Sequence, residues 1–297
     1  AGKILLLDGN EIASQASARA ACLLTRARTK PALMELVQET YDCIKEIEVL
    51  LDESLELQQC GSVTIASSDS SLKGLEALEE AATRFGIPNE RISRERVKEL
   101  LPWIESDAVD VALYMPTDAF IDSALLCSGY ARAAAKLGVE LKPNCKVKEI
   151  IVEQDEIRGV SLVNGERLNA PIVVNAAGSW ANLLMRPLKI GLPFTPVRSH
   201  FWITDIDNKR FPAGHPFTVI PDARAFTRSD VGALIIGLRE SQCQAFDPST
   251  MTDKLEDFDF NKAAKWTVLD ECAPLLKRYL KDIDDLPIAH YMAGPSC

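Results

Sequence analysis

The chain lacks a basic balance, a long apolar run and a metal-ligand pattern. Lys and Arg number 33 against 43 Asp and Glu, for a net charge of −10. Nucleic-acid binding calls for a basic patch, so this balance argues against that class. No apolar run is long enough to cross a bilayer, so no membrane span is expected. The opening KILLLD is too short, and too soon followed by acids, to read as a secretory signal. The eight cysteines (Cys22, Cys43, Cys60, Cys127, Cys145, Cys243, Cys272, Cys297) are scattered with no CxxC pair. They read as free buried thiols in a reducing cytoplasm, not as a disulfide framework or a zinc site, and no metal is expected. Only three histidines occur (His200, His215, His290), and no Ser-His-Asp or Cys-His arrangement accompanies them.

What is present is a globular composition, 47% hydrophobic and 26% charged over 297 residues, enough for one large or two ordinary domains. Its most informative stretch is IVVNAAGSWA, residues 172–181. Ile172, Val173 and Val174 predict a buried strand over 172–175. Ala176, Ala177 and Gly178 then leave a strand exit with almost no side chains, where backbone can approach a ligand closely. In open α/β sheets, ligands bind at the carboxyl ends of strands.

The remaining pattern alternates strands and helices. KILLLD predicts a strand, and 9–29 reads as loop. Apolar residues at helical spacing predict a long amphipathic helix over 31–51, with Pro31 at its start. A strand is expected over 61–66 and helices over 70–85 and 93–101. A turn at Pro116-Thr117-Asp118 leads to a helix over 123–137 with Asp122 as cap and Gly138 beyond its end. Strands are predicted over 139–141 and 146–152, and a hairpin turns on Asn164-Gly165. After Pro193 the texture is β-rich, with strands over 197–204, 217–220, 233–238 and 287–292 and a helix over 261–280.

Four stretches carry a resemblance: KILLLDGNEIASQASARAACLL, YMPTDAFIDSALLCSGYARAAAKLGVEL, IVVNAAGSWAN and PDARAFTRSDVGALIIGLRE. In order and spacing the chain resembles the FAD-dependent D-amino-acid oxidase superfamily, in its sarcosine and dimethylglycine dehydrogenase-like branch. The resemblance implies an α/β fold: a Rossmann-like FAD-binding domain (1–30 and 116–190) and an interleaved antiparallel-sheet α+β substrate domain (31–115 and 191–290). Residues 291–297 would begin a C-terminal flavin-binding segment. The GxGxxG fingerprint is absent, which implies a fragment lacking both ends, with weak FAD retention and an aggregation-prone sheet edge.

The resemblance also places residues. Asp8 takes the position of the acid that binds the adenosine ribose. Ser14, Ser17, Ala18 and Arg19 lie in the loop that passes the pyrophosphate towards the flavin ring. Val147 matches the position whose backbone meets adenine. Ala176, Ala177, Gly178 and Trp180 form a second cofactor contact. No histidine stands at Ser17-Ala18-Arg19, so the FAD is expected to be non-covalent. For the substrate side, Arg198 and His200 share a strand face, whose alternative reading is a solvated sheet face. His200, Tyr291 and Arg239 are the catalytic candidates; Arg224 and Arg228 read mostly as surface charges.

The implied reaction is oxidation of the C–N bond of an amino acid or N-methylated amine by hydride transfer to flavin, with oxygen or an electron carrier as acceptor. Oxidation of a 2-hydroxy acid or glycerol phosphate, and a non-catalytic subunit or scaffold, are the alternatives. A homo- or hetero-oligomer is compatible with either.

Overall fold

The computed structural model describes residues 2–260 and 265–296. β1 (Leu5–Leu7) runs into a loop with one 3-10 turn at Ser17–Arg19 and then β2 (Leu23–Leu24). Pro31 opens α1 (Pro31–Leu51), where its missing N–H would have no intrahelical partner anyway. The helix buries Met34, Tyr41, Ile44 and Ile47; of the apolar positions in its predicted stripe, Leu33 and Leu36 are exposed and Val37 and Leu51 half-buried. β3 (Ser62–Ala66) is buried throughout. α2 (Asp69–Arg84) starts on a capping box between Ser68 and Ser71, and the Asp222 carboxylate accepts from both hydroxyls and from Ser67 N–H. β4 (Glu90–Ile92) precedes α3 (Arg94–Leu100), capped by Ser93. β5 (Val111–Met115), a turn and β6 (Ala119–Phe120) lead to α4 (Ser123–Lys136). Asp122 caps α4 by accepting from Leu125 N–H at 2.8 Å.

β7 (Glu140–Lys142), β8 (Val147–Glu153), β9 (Glu156–Leu162) and β10 (Arg167–Asn169) follow. The turn between β9 and β10 passes through Gly165 at φ +90°, a conformation that favours glycine. α5 (Ala181–Met185), β11 (Val197–Thr204), β12 (Phe217–Ile220), β13 (Ala225–Asp230), β14 (Ala233–Leu238), α6 (Lys265–Leu276) and β15 (Ile288–Ser296) complete the chain. The helix expected over 261–280 is thus helical from Lys265 to Leu276, and 261–264 lie outside the described residues.

An eight-stranded sheet dominates, in the order β15-β11-β14-β13-β12-β3-β5-β4. It is mixed, not purely antiparallel as expected, because β12 pairs with β3 in parallel. The long return between those two strands carries α2, β4, α3, β5 and more, so a parallel pairing is sterically open. β1 pairs in parallel with β7, β8–β10 form an antiparallel meander, and β2 pairs with β6. The main core lies between the large sheet and α3 and α6, with Trp202 fully buried at its centre. Residues 291–296, expected to begin a separate segment, are the second half of edge strand β15, in register with β11.

Residues 172–175 do not form the predicted buried strand. Ile172 is 78% and Val174 83% exposed, while Val173 alone turns inward onto Ile150, Val160 and Leu162. A strand exists only through its ladder, and among the described residues no strand pairs with this segment. The sequence pattern predicts neither the short strands β2, β4 and β6 nor the longer β5 and β13. The cysteines are free, but only Cys272 is buried; Cys243 is exposed and the rest are half-buried. Cys297 lies outside the described residues.

Candidate cofactor and substrate site

The parallel β1–β7 pairing places Asp8 at a strand end. Its backbone N–H donates to Lys142 O at 3.1 Å, its carbonyl accepts from Cys145 N–H at 2.7 Å, and its Oδ1 accepts from Asn10 N–H at 2.9 Å. That side-chain bond starts a turn at the strand end. Val147 opens β8 and, like Leu7 just before Asp8, packs on the Ile150, Val160 and Leu162 cluster, so the two adenosine-side candidates flank one small core.

The second group of candidates forms two loops. Ser14 is exposed and its Oγ donates to Glu11 O at 2.6 Å. The Ser17–Arg19 turn is anchored by Ser123 Oγ, which donates to Ser17 O at the start of α4. Ala18 is exposed. Arg19 lies across the edge of the large sheet: its Nη1 donates to Ala293 O at 3.1 Å, and its stem packs where a Cβ on Gly294 would sit, at 2.9 Å. In the other loop, Asn175 Oδ1 accepts from Ala177 N–H at 3.2 Å and its Nδ2 donates to Ala181 O at 3.0 Å, which bends the chain into a 3-10 turn at Gly178–Trp180. Ala176 is exposed, and Gly178 adopts φ +50° with no heavy atom within 4 Å of a built Cβ. The loops converge: Ala16 and Trp180 pack on one cluster with Met251, Leu255, Phe260 and Ala293.

Tyr291 touches both that cluster and the main core. Its hydroxyl lies 3.1 Å from His200 Nδ1, and the His200 ring packs against Trp202 at 4.8 Å between centroids, tilted by 49°. Arg198, His200 and Trp202 do share one face of β11, but that face is buried and not solvated: they are 6%, 4% and 0% exposed. Arg198 pairs with Glu240, with Nε to Oε2 at 3.1 Å, and donates from Nη1 to Phe260 O at 2.8 Å. Burial pushes the His200 pKa down to about 4, against the opposing pull of Glu240, whose Oε2 lies 4.0 Å from Nε2. The ring is neutral near pH 7 and accepts the Tyr291 proton at Nδ1 when its own proton sits on Nε2. Burial also raises the Tyr291 phenol.

The structure therefore joins His200 and Tyr291 and leaves Arg239 apart, exposed at the end of β14. Sequence reasoning missed Glu240, the group that completes the buried knot; it lies just past β14, two residues beyond the inward-facing Leu238. Arg228 is not a surface charge either. It is 5% exposed, 4.2 Å over the Phe120 ring, and paired to Asp230 at 3.2 Å. Phe120 shields one face of the guanidinium, a cation–π contact that needs burial to matter. His215 is structural, with Nδ1 2.7 Å from Leu100 O.

The residues fit a flavin nucleotide. Arg19 Nε is buried with no hydrogen-bond partner, a donor that an acceptor on a ligand would satisfy. The open backbone at Gly178 leaves room for close approach. Among the described residues no group of three His, Cys, Asp or Glu side chains is arranged to hold a metal.

A strand-end carboxylate, a small-residue turn and an arginine-bearing loop beside a large mixed sheet are features found in nucleotide-binding folds of the α/β class. The chain belongs to the FAD dependent oxidoreductase family, whose sequence profile matches residues 1–297. It is 25% identical over 265 residues to 4-methylaminobutanoate oxidase (formaldehyde-forming) of Paenarthrobacter nicotinovorans, covering 88% of this chain and 31% of that protein. It is 28% identical over 248 residues to mouse mitochondrial sarcosine dehydrogenase, covering 80% and 26%. It is also 25% identical over 238 residues to the mouse mitochondrial pyruvate dehydrogenase phosphatase regulatory subunit, covering 79% and 27%. The chain thus spans under a third of the length of these curated relatives. Its fold matches L-proline dehydrogenase from P. horikoshii, with a TM-score of 0.81 and 20% identity over 99% of this chain and 81% of that one. No helix among the described residues is long and apolar enough to cross a membrane.

Proposed function

We propose that this chain forms the flavin- and substrate-binding part of an oxidoreductase that oxidises the C–N bond of an amino acid or N-methylated secondary amine. The observation that carries the proposal is the convergence of the Ser17–Arg19 and Gly178–Trp180 turns beside Tyr291, in a chain of this family. Asp8 and the backbone near Val147 would hold the adenosine end. Ser14, Ser17, Ala18 and Arg19 would hold the pyrophosphate and ring end, with Ala176, Ala177, Gly178 and Trp180 as the second wall. When bound non-covalently, FAD supplies the hydride acceptor.

The protein's part is orientation. Neutral His200 fixes the Tyr291 hydroxyl, and a half-buried hydroxyl held in this way can order a neutral amine without a strong base. A reducing compartment such as the cytoplasm suits the free thiols.

The test is anaerobic bleaching of the FAD-loaded full-length protein by sarcosine, 4-methylaminobutanoate, proline and D-amino acids, set against 2-hydroxy acids. Bleaching by the amines is expected; bleaching by hydroxy acids alone overturns the reading. Reoxidation by oxygen or only by a dye then identifies the acceptor class. The likeness to a regulatory subunit supports a second reading, a non-catalytic flavin-fold subunit. A preparation that stays colourless after FAD is added favours it.

A further inference from the structure

We propose that Asp118 is a positioning residue that sets the register of the cofactor loop against the large sheet. Asp118 lies between β5 and β6 and is 2% exposed. Its Oδ2 accepts from Ser62 Oγ on β3 at 2.7 Å, and its Oδ1 accepts from the Arg26 backbone N–H at 2.7 Å. Arg26 then closes a circuit. Its Nε donates to Thr117 O at 3.1 Å, and its guanidinium lies 3.6 Å over the Tyr41 ring. The Tyr41 hydroxyl, 1% exposed on α1, donates to Leu24 O at 2.9 Å. Leu23 and Leu24 pair with Phe120 and Ala119, and Ile121 N–H donates to Cys22 O at 3.2 Å.

The strand that leaves Arg19 is thus held by the sheet, by α1 and by the 116–118 turn at once. Asp118 is the one side chain in this circuit that bonds both the sheet and the loop. It touches no reacting atom; it acts through Arg26 and β2 on the Ser17–Arg19 turn. The inference rests on the flavin reading only in calling that loop cofactor-facing. Its test needs neither FAD nor turnover, so the two can fail separately.

Cys22 reports the loop from within. Its Sγ lies 3.0 Å from Ala20 O and 3.3 Å from Ser123 N. The experiment is thiol labelling of the native full chain, mapped by mass spectrometry, with Cys272 as the buried core control and Cys145 as a distant one. Asp118→Ala should raise the Cys22 rate about tenfold while both controls hold, because two donors lose a buried acceptor and the loop opens locally. Asp118→Asn should stay within about twofold of the parent, since its amide oxygen still accepts from Arg26 and its amide nitrogen can donate to a reoriented Ser62 hydroxyl. Ser62→Ala cuts Asp118 from the sheet while its bond from Arg26 N–H remains, and should raise the Cys22 rate alone by a smaller factor; it decides the matter if Asp118→Ala does not fold. An unchanged Cys22 rate in the folded variant, a rise shared by Cys272, or an Asn variant as reactive as the Ala variant would each overturn the proposal.

Discussion

His200 makes folding stability depend on pH in a window where few other groups titrate. Its ring is 4% exposed, packed against Trp202 and bonded to Tyr291, and burial holds its pKa at about 4 against an ordinary 6.5. The unfolded chain takes up the proton first. The stabilisation is therefore complete above the unfolded value of 6.5 and is lost as pH falls from there to about 4. Between about pH 7 and pH 5 the difference in proton uptake amounts to roughly 2 kcal/mol at 25 °C. Asp118 runs the other way: burial raises its carboxyl, so the ionised form is disfavoured in the fold and acidification relieves it. For that reason the comparison that isolates the ring is parent against variant, not the raw slope. His200→Gln keeps a polar partner for the Tyr291 hydroxyl and removes the titration. Urea unfolding of both proteins at the two pH values should show the parent losing about 2 kcal/mol more than the variant on acidification. Equal losses would refute the burial argument, since they would mean that His200 protonates in the folded state at its ordinary pKa.

Three further perturbations follow from the packing. Glu240→Leu leaves Arg198 buried without its carboxylate and should lower stability by about 3–5 kcal/mol, whereas Arg198→Met with Glu240→Leu should recover most of the loss in urea unfolding. Gly237→Ala places a Cβ within 1.8 Å of the Phe226 ring and should cost about 1–3 kcal/mol. Adding Phe226→Leu should reduce that cost, and a fully additive double variant would argue against the contact. Ser68→Ala removes the α2 cap and one partner of Asp222, and should lower stability by about 1 kcal/mol in thermal unfolding.

The parts of this fold that could be read in advance are those whose causes are local. Pro31, Ser93, Asp122 and Gly138 mark helix ends because capping and backbone preferences act within a few residues. β11, β12 and β14 likewise announce themselves by β-branched and aromatic content. β13, AFTRSD, does not, because its two buried polar residues Thr227 and Ser229 and its buried Arg228 mimic a surface pattern. The opposite error occurs at 172–175, where β-branched residues suggested burial but no ladder partner lies beside them. Alternation in β11 identified which side chains share a face with His200, yet depth came from α6 and the 246–260 segment, far along the chain.

Asp118 shows the same limit at a single residue. As part of Pro116-Thr117-Asp118 it reads as an ordinary turn carboxylate, and turns are normally solvated. Its two donors stand 56 and 92 positions away, on β3 and just past β2. Only when β2 docks on β6 do those donors meet, and only then does a turn residue acquire a reason to be buried. A carboxylate with a local partner would survive loosening of the loop. One whose partners come from two distant segments will not, and that dependence is why labelling at Cys22 reads out the state of Asp118.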